Sequence, residues 1–160
     1  MRPILVGIDG SPAAERALRW ALDEATTRGC PLHVVHVWDY EPLTDWTMTT
    51  EQDVRARSEA LIDDALRVAS VGRLRFPEIV WHSLRGVPSE VLEKEGRDAA
   101  LLVVASNTGH RLRKIVLGST STDLVRHATV PVVVIPAQEA PQDDRSVPEA
   151  HEVGHAADHG

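Results

Sequence analysis

Five short apolar runs, alternating with stretches of helical spacing, constrain this chain more than any other feature. They are residues 3–9 (PILVGID), 32–37, 78–83, 100–105 (ALLVVA) and 131–135 (PVVVI). Each is of strand length, and several are apolar at successive positions, as in strands buried on both faces. Between them lie helical patterns. Ser11 and Pro12 read as an N-cap and first helical residue. Ala14, Ala17, Leu18, Ala21, Leu22 and Ala25 then repeat on one face, and Gly29 ends the helix. Val54, Ser58, Leu61, Ala65, Leu66 and Ala69 mark one face of a second helix, with Arg55, Arg57, Glu59, Asp63 and Asp64 left for water. Residues 87–95 and 119–127 read as two further helices. The order βαβαβαβαβ predicts an α/β fold: one doubly wound, mainly parallel sheet with helices on both faces. Ligands of such sheets sit beyond the carboxyl ends of the strands, near the point where strand order reverses. The loops to inspect are therefore 9–11, 37–40, 83–87 and 105–119.

At 160 residues the chain suits one domain. Its net charge is −7, unevenly spread. From residue 137 onward there are six acids and one base, several Pro and Gly, and almost no large apolar side chain. Such a segment cannot offset its ordering entropy, so 1–136 is expected to be the folded domain and 137–160 a disordered acidic, histidine-bearing tail. The acidic balance argues against nucleic acid, which needs clustered cations. No apolar run approaches the ~20 residues of a membrane span. Arg2 alone precedes the first apolar run, so no signal peptide is read, and the single Cys30 suits a reducing cytoplasm.

The loop after the fourth run is the most informative for function. It leaves a buried strand and ends at Gly118-Ser119, where a helix begins. A helix N-terminus offers unpaired N–H groups and partial positive charge, which suits phosphate. Ser119, Thr120 and Ser121 add hydroxyls, and Arg111, Arg113 and Lys114 add cations. From these residues alone, phosphate binding and simple helix capping beside a solvated cationic face stand as alternatives.

The segments VGIDGSPAAERALRWALDEA, LHVVHVWD, GVPSEVL and LLVVAS, with LGSTSTDLVRHATVPVVVIP, resemble the universal stress protein family from about Pro3 to Pro136. The resemblance implies a five-stranded parallel sheet of order 3-2-1-4-5 and a homodimer formed through the last strand. Val132, Val133 and Val134, between two prolines, fit an edge that needs covering. It further implies an adenine nucleotide, ATP with Mg²⁺, held near Asp9, the backbone of Val37, Gly86 and the 105–119 loop, where Ser119 meets phosphate with Gly118, Thr120 and Arg111 nearby. ATP-binding members carry G-x2-G-x9-G-(S/T) after the fourth strand. Here only Gly118 and Ser119 match; Ala105 and Thr108 stand at the first two glycine positions, and Gly109 falls one place late. Glycine serves where φ is positive or where backbone approaches a ligand closely, and β-branched Thr is poorly suited to either. Two functions follow as expectations. One is a stress-response regulator that binds the nucleotide with little or no hydrolysis, since no general base can be assigned; it is not an enzyme. The other is a dimeric protein-interaction module without nucleotide. For Asp9, the residues alone also allow an Asx-turn beside Ser11.

Other patterns carry no function. No G-x-G-x-x-G and no G-x4-G-K-(S/T) occurs. His151-Glu152-Val153-Gly154-His155 matches H-E-x-x-H formally, but it has an internal glycine and lies in the tail, so no protease is read and no resident metal is expected. Adventitious Zn²⁺ or Ni²⁺ on His151, His155 and His159 is the alternative to a solvated tail. Cys30 is expected to be structural. His36 is expected to make a packing hydrogen bond, and Trp20, Trp38, Trp46 and Trp81 to be core or loop-anchoring aromatics.

Overall fold

The computed structural model describes residues 1–42, 48–106 and 117–137. The order is β1 (Ile4–Ile8), α1 (Pro12–Arg28), β2 (Leu32–Trp38), α2 (Glu51–Ala69), β3 (Ile79–Arg85), α3 (Pro88–Glu95), a short 3-10 turn (Gly96–Asp98), β4 (Leu101–Ser106), α4 (Ser119–His127) and β5 (Val132–Pro136). All neighbouring strands are parallel, in the order β3-β2-β1-β4-β5. β1 is central, with β2 on one side and β4 on the other, so strand order reverses there and a crevice opens above it.

Local chemistry explains these elements. Ser11 Oγ accepts from Ala14 N at 3.1 Å, Pro12 needs no donor, and Gly29 takes the left-handed conformation (φ 66°) that ends α1. α2 opens with a capping box: Thr50 and Asp53 exchange backbone and side-chain bonds. The Thr50 N–H holds the exposed Asp53 carboxyl below its usual range.

The sheet buries two apolar layers. Ile4, Val6, Leu32, Val34 and Val103 face α1 and α2, meeting Leu18, Leu22 and Ile62. Leu5, Val35, Leu102 and Val104 face α3 and α4, meeting Leu92 and Leu124. Truncating a fully buried residue such as Leu22 to Ala costs about 2–5 kcal/mol.

Three expectations need correction. β3 runs two residues past Ser83, because β2 stays paired through Val37↔Leu84 and Trp38↔Arg85 until Gly86. Trp81 is no core aromatic: it is 48% exposed on an edge strand. Ile62, absent from the predicted face of α2, is its most buried large side chain (1% exposed), while Leu61, Ala65 and Leu66 are only partly buried. The tail from 138 and Trp46 lie outside the described residues.

Candidate functional site

A cleft of about 370 Å³ opens at the carboxyl ends of β1, β2 and β4. Its floor and walls come from Gly7 and Ile8 of β1, Val35 and Val37 of β2, Val104 and Ala105 of β4, and Pro88 and Leu92 of α3. Asp9 stands at the rim, and Gly118 with Ser119, Thr120 and Ser121 closes one end. A Cβ on Gly7 would come within 2.7 Å of Leu92 Cδ1, so any other residue there makes the Leu92 side chain shift.

The closing end is the N-terminus of α4. Gly118 is its N-cap and no side chain caps it. Ser121 Oγ turns back to donate to Gly118 O at 3.2 Å, and the first turn carries no acid. Among the described residues, the Ser119 and Thr120 hydroxyls make no hydrogen bond. The cleft thus pairs apolar walls with an uncapped helix start that attracts an anion. Asp9 Oδ1 accepts from Ser11 N at 2.9 Å, so the Asx-turn is formed even though Asp9 faces the cleft.

On the face of the sheet that carries α2, four side chains form a chain of hydrogen bonds. Trp38 Nε1 donates to Ser83 Oγ (2.9 Å), Ser83 Oγ meets Ser58 Oγ (2.6 Å), and Ser58 Oγ meets His36 Nδ1 (2.7 Å). An indole N–H can only donate, so Trp38 donates to Ser83. The two remaining bonds run on in the same direction when Ser83 donates to Ser58 and Ser58 to His36 Nδ1, the arrangement in which neutral His36 carries its proton on Nε2. Burial lowers the His36 pKa, and the nearby Asp9 carboxylate partly offsets this. The packing hydrogen bond expected of His36 is present.

Of the expected site residues, Asp9, Val37, Ala105, Gly118, Ser119 and Thr120 surround the cleft together. Gly86 does not line it. Its N–H donates to Trp38 O at 2.9 Å, and its φ of 147° makes the turn into α3. Thr108, Gly109 and Arg111 lie outside the described residues. Sequence reasoning missed Gly7, Val35, Val104 and Leu92. The strand period of two was the available signal, since it places Val35 beside Val37 and Gly7 two before Asp9.

The model of the universal stress protein family matches residues 1–136. A universal stress protein of Mycobacterium tuberculosis is 39% identical over 143 residues, covering 82% of this chain and 46% of its own length. A Mycolicibacterium smegmatis relative is 34% identical, covering 83% and 45%. The chain therefore spans less than half the length of these relatives. Among solved structures, the universal stress protein from Archaeoglobus fulgidus in complex with dAMP is 27% identical, with a TM-score of 0.60 over 84% of this chain and 98% of its own. The protein MJ0577, at 19% identity and a TM-score of 0.69, shares the fold over 87% of this chain and 98% of its own.

Proposed function

The chain belongs to the universal stress protein family, and we propose that it binds an adenine nucleotide in the cleft above β1, β2 and β4. One observation carries this reading: a single cleft offers Val35, Val37 and Val104 to an apolar ring and an uncapped helix N-terminus to an anion. The dAMP bound by the Archaeoglobus fulgidus relative supports it by analogy. In the proposed complex the base lies against Val37, the phosphates meet the N–H groups and hydroxyls at Ser119 and Thr120, and Asp9 lies where a Mg²⁺ ion would accompany ATP. The residues fit such a group: the lining brings a carboxylate, hydroxyls and free helix N–H groups within one space. Hydrolysis is slow on this reading: among the described lining residues Asp9 is the one acid or base, and the reading assigns it to Mg²⁺. Binding, with dimerisation through Val132, Val133 and Val134 on edge strand β5, makes the protein a cytoplasmic regulator rather than an enzyme.

The test is Ser119→Asp. A carboxylate at the start of α4 repels phosphate, so Mg-ATP affinity should fall more than tenfold with the melting temperature preserved. Unchanged affinity would refute the placement.

A second reading has its own observation. Ala105 lines the cleft where the nucleotide-binding pattern has glycine, and Thr108 stands at the next glycine position. On that reading the protein is a dimeric interaction module without nucleotide. The double variant Ala105→Gly, Thr108→Gly distinguishes the two. ATP binding gained only in the variant supports the module, and tight binding by the wild type refutes it.

A further inference from the structure

On the same face of the sheet, two residues before the cleft-lining Val35 on β2, two imidazoles meet. In register, His33 of β2 pairs with Val80 of β3, and His82 with Val35. Paired residues of parallel strands point the same way, and so do residues two apart on one strand. His33 and His82 are therefore diagonal neighbours on the face that carries α3 and α4. Their rings meet edge to face with centroids 5.8 Å apart and an interplanar angle of 63°. Both residues are partly exposed. Glu78, just before β3, and Glu95, at the end of α3, add negative charge around His33.

We propose that His33 and His82 form a binding site for one divalent transition-metal ion of the Zn²⁺, Ni²⁺ or Cu²⁺ class. The geometry is close to what such an ion requires. A metal–imidazole bond of about 2.1 Å puts the ion about 3.2 Å from the ring centroid. Two rings sharing a tetrahedral ion thus have centroids about 5.3 Å apart, about 0.5 Å closer than here. Because the rings meet edge to face, at least one must also turn about its side-chain torsions to bring a ring nitrogen to the shared ion. Imidazole nitrogen suits these metals, and neutral imidazole is the ligating form. Burial and the neighbouring His82 both favour neutral His33, while Glu78 and Glu95 oppose them. Among the described residues, no three or more His, Cys, Asp or Glu side chains surround a single cation, so the site provides two protein nitrogens and water completes the shell.

The test must separate this site from the histidines of the tail. The 160-residue chain carrying His151→Asn, His155→Asn and His159→Asn is titrated with ZnCl₂ by calorimetry, and the imidazole signals are followed by NMR. The expected result is one ion bound per chain, with the His33 and His82 signals shifting together. Adding His33→Asn or His82→Asn should weaken binding about tenfold or more. Three results would overturn the proposal: no Zn²⁺ binding once the tail histidines are gone, binding unaffected by both strand substitutions, or binding with the His33 and His82 signals unmoved. The NMR readout needs no substitution in the sheet, so it decides even if a strand variant folds poorly.

Discussion

Replacing Ser58 by alanine removes one hydroxyl that serves two hydrogen bonds at once. Ser58 is 2% exposed and joins α2 to β2 through His36 and to β3 through Ser83. Without it, His36 Nδ1 and the Ser83 hydroxyl each lose a hydrogen-bond partner. A buried polar group left unpaired costs about 1–3 kcal/mol. His36 and Ser83 are only partly buried, so water recovers part of this, and the net loss should be about 1–3 kcal/mol for the pair. For a domain of this size that lowers the melting temperature by roughly 4–12 °C. Urea unfolding and calorimetry measure the loss, and a double-mutant cycle with Ser83→Ala isolates the coupling. The direction of the relay is checked separately by imidazole ¹⁵N shifts, which should show Nδ1 unprotonated in the wild type. A loss under about 0.5 kcal/mol, or a proton found on Nδ1, would refute the relay.

Three further outcomes are expected. Stability should fall as pH drops below 6.5, because burial lowers the pKa of both His33 and His36 in the fold: the unfolded chain takes up those protons first, and the loss continues until the folded-state values are passed. The pH dependence of urea unfolding checks this, and it should flatten in His36→Gln. Gly7→Ala should displace the Leu92 side chain, which lines the cleft, and weaken nucleotide binding; unchanged binding in a calorimetric titration would separate this floor from the ligand. Truncation after Ala137 should leave the melting temperature intact, as seen by calorimetry, because β5 ends at Pro136, which Arg16 of α1 holds by its carbonyl.

Much of the fold was readable because each strand announces itself. VGID, LHVV, LLVV and PVVV are apolar where parallel strands are covered on both faces, and Ser11-Pro12 and Gly29 punctuate α1 by plain capping chemistry. The reading failed where tertiary pairing overrode local pattern. β3 follows the length of β2 rather than its own apolar run, and Trp81 is exposed because β3 is an edge, a fact of strand order. In the site, Asp9, Val37, Ala105, Gly118, Ser119 and Thr120 were found through the family pattern, and the structure gathers them around one cleft. Leu92 was not legible, because its place in the wall depends on how close α3 comes to Gly7. The His36–Ser58–Ser83–Trp38 relay spans three elements, and no spacing along the chain encodes it.

The central claim is that the cleft above β1 holds an adenine nucleotide. Calorimetric titration of the purified chain with Mg-ATP, after mass spectrometry for nucleotide carried through purification, tests it most directly. Micromolar affinity at one site per chain, or co-purified nucleotide, is the predicted result. An empty protein that shows no binding at millimolar Mg-ATP would contradict it.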